Sequence, residues 1–419
     1  MGYLKLKHEP KVSVTLANGA QVEVEPDTRF YYDLTGNLVG LKDANGNLTT
    51  QQWNYGSAKA TVARTWDALG FSKVMQYDVF GNLRTTIDEL NRRTDYRYDK
   101  MNRLIEVDRP ALADGQRSID RYEYDALDRR IAHTDAQGGR ERTFYDVDGR
   151  VVKTMISAAG REVKYDYKWA TSMGSAEAAT AGGWIRTTTN ANGMTTVDEN
   201  DQFGRLMKHT DLGGHVFQYQ YNWAGLLTKQ SGTSGQDVDY TYYSNGLVRS
   251  IQDNATKTQS LYEYDGDGNR TAEYFSNFGD VFVFAQSRVK YDALNRVTAI
   301  EDDAYKVYYE YDAVGNRRRM LAKYTDMVGY HDREQEYWYE YDALNRFTVS
   351  MGSLSGARAT DPNDTSVSIV KGTLGGDGIQ LGYNAAGERV LAVYAKDGRT
   401  ERYTYDANGY TPPARRPNC

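Results

Sequence analysis

The hexapeptide Tyr-Asp-Ala-Leu-Asn-Arg occurs at Tyr291–Arg296 and again at Tyr341–Arg346, with a near copy, Tyr-Asp-Ala-Leu-Asp-Arg, at Tyr124–Arg129. A segment reused this closely is either a chemical signature or a structural joint, and its spacing decides which. Aligned on its tyrosine, it gives anchors at Tyr32, Tyr77, Tyr98, Tyr124, Tyr145, Tyr221, Tyr242, Tyr264, Tyr291, Tyr311, Tyr341, Tyr383 and Tyr405, with Asn200 in the same slot. Neighbouring anchors often stand 20 to 22 residues apart, which is the mark of a repeat protein rather than of a single site.

Four residues after each anchor the chain carries Gly (36, 81, 149, 204, 225, 246, 268, 315, 387, 409), Asn (102, 295, 345) or Asp (128). These are the residues that tolerate a left-handed backbone. The Asp that usually follows the anchor suits the first position of a type I turn, because its carboxylate accepts from backbone N–H groups. Tyr-Asp-x-x-Gly therefore predicts a strand ending in a hairpin turn with a bulge. Ahead of the anchor, aromatic residues alternate, as in Tyr122 and Tyr124, Tyr262 and Tyr264, and Tyr337, Tyr339 and Tyr341. Period two places these rings on one strand face, with Glu123 and Glu263 on the other. A second turn group stands ten residues before several anchors: Asp67, Asp88, Asp135, Asn190 and Asp211. Each repeat thus reads as one hairpin, and 14 anchors imply on the order of 28 short strands. No long segment has a 3.6-residue apolar period; Ser175–Gly183 could form one helical turn inside an insertion.

Composition agrees with this reading. The 419 residues include 35 Tyr against 11 Phe, and 39 Gly against 7 Pro, a balance suited to strands and tight turns. The net charge of −6, with both signs interspersed, argues against a nucleic-acid surface. The single cysteine, Cys419, excludes an internal disulfide and a thiolate metal site. No apolar run reaches the roughly 18 residues of a membrane helix, and Met1–Pro10 lacks the apolar core of a signal peptide. Neither nucleic-acid binding nor membrane insertion is expected.

Tyr-Asp-x-x-Gly-Arg-Leu followed by Asp-x-x-Gly-x-x-Thr-x-Tyr-x-Tyr-Asp resembles the YD repeat of the RHS family, from about Tyr32 to Asn408. That family includes bacterial RHS effectors, shell components of insecticidal toxin complexes, wall-associated proteins and teneurins. The resemblance implies an all-β fold: repetitive antiparallel hairpins forming a continuous spiralling sheet, part of a hollow shell. It implies residues 1–31 as an N-terminal β segment, 32–409 as the array and 410–419 as an irregular Pro- and Arg-rich tail. Insertions are expected near 165–190, 271–290, 320–336 and 350–380. The bacterial shells enclose a C-terminal toxin released by aspartate-dependent self-cleavage, but the Asp-Pro-x-Gly run that accompanies it is absent. Asp361–Asp364 holds the only Asp-Pro, without the following Gly, so cleavage transfers to no residue here and the chain reads as a partial array.

No catalytic, cofactor-binding or metal-binding residue is assigned. The repeated aspartates already have a turn role. Asp43–Asn47 and Asp265–Asn269 each match only the start of a calcium loop and lack its downstream bidentate Glu. The histidines His8, His133, His209, His215 and His331 are scattered, though His209 and His215 flank one turn and could meet across it. There is no Gly-x-Ser-x-Gly, phosphate loop or dinucleotide fingerprint. The expectation is a non-enzymatic scaffold whose partner is a toxin or effector cargo polypeptide, or further YD-repeat segments completing a shell. It would be made in the cytoplasm and then secreted, or attached to the cell surface, through a secretion system. The other reading is a cell-surface adhesion or carbohydrate-binding module, whose rows of Tyr would meet glycans.

Overall fold

The computed structural model describes residues 2–409 except 57–58, 112–114, 116, 157–159, 172–181, 278–282, 303, 326–331, 351–358, 362–363 and 370–377. Among these residues every regular element is a strand, 36 in number, and 32 of them belong to one antiparallel sheet in chain order. The all-β class and the continuous sheet of hairpins are as expected. The strands outnumber the expected 28 because segments without an anchor add their own: Leu6–His8, Val12–Thr15 and Gln21–Val24 at the N-terminus, Leu48–Asn54 with Thr61–Trp66, Arg161–Ala170 with Gly183–Thr189, and Ala359–Asp361 with Asp364–Ile369. Ser175–Gly183 lies almost wholly outside the described residues, as do His331 and the 410–419 tail.

All fourteen residues at the fourth position after an anchor have positive φ. The glycines lie between Gly204 at 80° and Gly315 at 99°, with Asn102, Asp128, Asn295 and Asn345 near 60°. Among the described residues, twelve of the fourteen anchors also mark a register shift, as between Glu123 and Tyr124, Thr241 and Tyr242, or Glu310 and Tyr311. The extra residue forms a bulge that raises local twist. Glycine or Asn enters because other side chains would clash with the left-handed backbone.

The chain divides into two compact units. One comprises residues 120–288. Its strands pair antiparallel with their sequence neighbours, from Arg121↔Thr134 to Ala272↔Arg288. Two of the expected insertions prove to be hairpins of the same ladder grown longer. Arg161–Ala170 pairs with Gly183–Thr189 over seven residue pairs, and Arg270–Asn277 pairs with the strand Val283–Tyr291. In the first of these, Tyr165, Tyr167 and Trp169 alternate with Lys164, Asp166 and Lys168, and Thr187, Thr188 and Thr189 stand on the partner strand, residue types that suit a pleated ladder.

The other unit comprises residues 1–119 and 289–419. The insertion near 320–336 is again a long hairpin, Arg317–Thr325 with Asp332–Tyr341. That near 350–380 contains a separate two-stranded piece, Ala359–Asp361 with Asp364–Ile369. Early and late repeats meet inside this unit. Asn45 donates to Asp312 (2.9 Å), and Arg92 pairs with Glu388 (2.7 Å). The N-terminal segment is more elaborate than one lead-in strand. Leu6–His8 pairs with Asp27–Tyr32, while Val12–Thr15 and Gln21–Val24 form a hairpin of their own. That hairpin lies on the strand Tyr305–Tyr311: Thr15 donates to Glu310 at 2.8 Å, and Val12, Val14 and Thr15 are buried. Its turn residue Gly19 faces the Trp338 ring, which a Cβ would approach to 3.2 Å.

Elsewhere burial is slight. Among the described residues only ten apolar side chains are buried, and five are alanines such as Ala132, Ala272 and Ala299 on return strands. Anchor tyrosines are half-buried, covered by neighbours in the same layer. A sheet with so little dry core must draw its stability from the ladder and from polar ties between strands.

Candidate functional site: the repeated joint

In the segment Tyr291–Arg296, one oxygen of Asp292 accepts from the backbone N–H of Leu294 (2.9 Å) and of Arg296 (3.0 Å). The other oxygen accepts from Arg296 Nε (2.6 Å), while Asn295 N–H donates to the Asp292 carbonyl (3.0 Å). Asp342 and Asp125 repeat this arrangement with Arg346 and Arg129. Where the arginine is missing, Asn fills its role: Asn82, Asn269 and Asn316 donate side-chain N–H to Asp78, Asp265 and Asp312. The motif is a closed circuit in which carboxylate, turn amides and the following side chain satisfy one another.

The arginine also reaches the next repeat. Arg296 Nη1 donates to the Asp312 carbonyl (2.9 Å), and its guanidinium lies 4.8 Å from the Tyr311 ring centre. Arg129 does the same to Asp146 and Tyr145, and Arg346 lies over Tyr383. The anchor tyrosine returns the tie: Tyr311 O–H donates to the Val297 carbonyl (2.6 Å), at the start of the preceding return strand. Tyr32, Tyr98, Tyr145, Tyr221, Tyr242, Tyr383 and Tyr405 make equivalent bonds to Leu4, Leu83, Arg130, Leu206, Leu227, Phe347 and Arg389. Only a hydroxyl at the ring tip can do this, which accounts for Tyr being preferred to Phe. At roughly 1 kcal/mol net each, these ties matter against a typical domain stability of about 5–15 kcal/mol.

The joint has the electrostatics of a lock. The Asp99 carboxyl is held below its ordinary range by the backbone and side-chain hydrogen bonds of Arg103, and Asp146 chiefly by the Arg150 side chain. Asp265 is lowered chiefly by Asn269. A general acid or base working near neutrality needs the opposite shift. The two half-motifs for calcium are ordinary joints as well: Asp43 accepts from Asn47, and Asp265 from Asp267 and Asn269. Among the described residues no three His, Cys, Asp or Glu side chains gather as a metal would require.

The histidines are placed separately. His209 bonds Asp198 (2.7 Å), and His215 bonds Asp211 (3.0 Å), so flanking one turn does not make them a pair. In the register His209 faces Phe217 instead. His133 stacks on Tyr122 with 4.9 Å between ring centres, and His8 pairs with Asp27 (2.6 Å). Sequence reasoning missed the arginine of the joint and the target of the tyrosine hydroxyl. The recurring Asp-x-x-x-Arg spacing was the available signal for the first.

An antiparallel array with one bulged, left-handed joint per repeat defines a YD-type repeat scaffold. The RHS Repeat family model matches residues 77–111. The left-handed turn of that repeat recurs at all fourteen anchors. The chain is similar to double-stranded DNA deaminase toxin A of Burkholderia cenocepacia (strain H111), with 26% identity over 144 residues, covering 34% of this chain and 9% of the toxin. Its fold is that of chains in two solved structures. One is TcdB2-TccC3-Cdc42: TM-score 0.53, 16% identity, covering 95% of this chain and 22% of that one. The other is the Photorhabdus luminescens Tc holotoxin pore: TM-score 0.52, 16% identity, covering 94% and 23%. This chain therefore spans under a quarter of the length of each of these three relatives.

Proposed function

We propose that the chain is a non-enzymatic wall segment of an RHS-type shell that encloses or presents a partner polypeptide, a toxin or effector, or joins further repeat segments. The carrying observation is the near absence of a dry core among the described residues across so long a sheet. A wall needs two accessible faces, and a sheet held by polar ties has them. The toxin named in the Burkholderia relative and the toxin complexes among the fold relatives support this class of partner. Export from the cytoplasm through a secretion system follows from the same reading.

Small-angle scattering of the purified chain tests it. A compact 419-residue globule would have a radius of gyration of about 22 Å. The wall reading expects a clearly larger value, with a pair-distance distribution skewed to long distances. A value at the compact limit would contradict it. A glycan array separates the adhesion alternative, which requires reproducible binding to one defined glycan.

A further inference from the structure

A cleft of about 420 Å³ opens in the unit formed by residues 1–119 and 289–419, between the N-terminal hairpin, the turn at Ala44 and Asn45, and the strand beginning at Arg317. Arg318 lines it with only 8% of its surface exposed. Its Nε is buried and meets no hydrogen-bond acceptor among the described residues. The flanking arginines differ. Arg319 pairs with Glu310 and Glu336, each at 2.5 Å, and Arg317 lies over the Tyr309 ring at 4.6 Å.

Two of the acids around the cleft, Asp312 and Glu310, are committed elsewhere. Asp312 accepts from the Val314 and Asn316 backbones and from the side chains of Asn316 and Asn45. Glu310 is taken by Arg319 and Thr15, while Asp27 stands 2.6 Å from His8 although its Oδ1 is buried without a hydrogen bond. Glu25 is exposed to solvent. A buried guanidinium whose Nε meets no acceptor is costly, so its retention calls for an acceptor that the described residues do not supply.

We propose that this cleft binds a carboxylate carried by a peptide, with Arg318 as its receptor. The guanidinium fork matches the two oxygens of a carboxylate. Val14, Leu16 and Val24 line the same cleft and suit the aliphatic part of the ligand. Glu25, Asp27 and Asp312 also line it, which disfavours a dianion such as phosphate and selects a single negative charge beside neutral amide groups. This inference is independent of whether the array closes into a shell.

The test uses the full chain at constant ionic strength, with binding read by calorimetry and ligand-observed NMR. N-acetylglycine represents a chain-terminal carboxylate and N-acetylglutamate α-amide a side-chain one; N-acetylglycinamide and inorganic phosphate are controls. At least one carboxylate should bind saturably and at least tenfold more tightly than both controls, and the stronger of the two identifies the source. Arg318→Met should weaken that binding at least tenfold while melting no lower than the parent, since it removes a buried donor that has no acceptor. Equal binding of carboxylate and neutral amide, or unchanged affinity in Arg318→Met, would overturn the proposal. So would a parent that binds neither carboxylate while Glu25→Gln does, because Glu25 would then be the internal partner. A Met variant that melts well below the parent would likewise assign Arg318 a structural partner.

Discussion

Two joints in the 120–288 unit reach the same backbone shape by different means. At Tyr124–Arg130, Asp125 and Arg129 form the carboxylate circuit, Arg129 reaches the next repeat at Asp146, and Tyr145 answers by donating to Arg130. At Tyr242–Val248 both charged residues are missing: Tyr243 stands in place of Asp and Leu247 in place of Arg. Yet Gly246 has φ 88°, its N–H donates to the Tyr243 carbonyl at 3.0 Å, and the register shifts at Tyr242 as elsewhere. The tie to the next repeat has become aromatic. Tyr243 donates to the Tyr262 carbonyl (2.9 Å) and meets the Tyr264 ring edge-on at 6.1 Å. The left-handed turn is the invariant part, and the links between repeats are interchangeable chemistry hung upon it.

The comparison breaks most sharply at the turn itself. Gly246→Val places a β-branched residue at positive φ and should cost on the order of 1–3 kcal/mol, read as a lowered thermal midpoint. Asp128→Gly relieves a similar strain in the charged joint and should melt at or slightly above the parent. If Gly246→Val is harmless, the shared backbone shape is not what holds the uncharged joint.

Next in size is the hydroxyl tie. Tyr145→Phe deletes the bond to Arg130 and should cost roughly 1 kcal/mol in urea unfolding. Tyr264→Phe, at the aromatic joint, keeps the ring contact with Tyr243 and should cost less. Equal losses would show that ring burial rather than the hydroxyl dominates.

The smallest effect separates the joints by pH. Asp146 sits below its usual range because Arg150 hydrogen-bonds its ionised form. The joint's contribution is therefore complete above the unfolded value of about 4, and is lost as pH falls through the lowered folded value. Amides at 146–150 should gain relative exchange near pH 3, after correction for intrinsic rates, while those at 243–247 should not. Matching acceleration at both would remove the carboxylate from the account.

What the sequence revealed follows the range of each interaction. The turn was legible because Asp292 and Asn295 settle it within four residues, through carboxylate chemistry and tolerance of positive φ. The arginine and tyrosine links were not, because Arg296 and Val297 find Asp312 and Tyr311 some 14 to 16 residues later, across a strand pair. Insertions near 165–190 and 320–336 read as loops, since they lack the anchor motif, but their period-two pattern extends existing ladders. The hairpin over Tyr305–Tyr311 could not be foreseen: Thr15 and Glu310 are 295 residues apart, and no repeat relates them. Arg318 was hidden for the same reason, inside a run of three arginines whose neighbours are paired or stacked.

The central claim is that Tyr-Asp-Ala-Leu-Asn-Arg is a joint shaped by its left-handed residue. Thermal melts of Asn295→Gly and Asn295→Val test it most directly, because Asn295 has φ 58° in the motif itself. Asn295→Gly should melt like the parent, while Asn295→Val should fall by several degrees, as a loss of about 1–3 kcal/mol requires. A valine variant that melts with the parent would contradict the account.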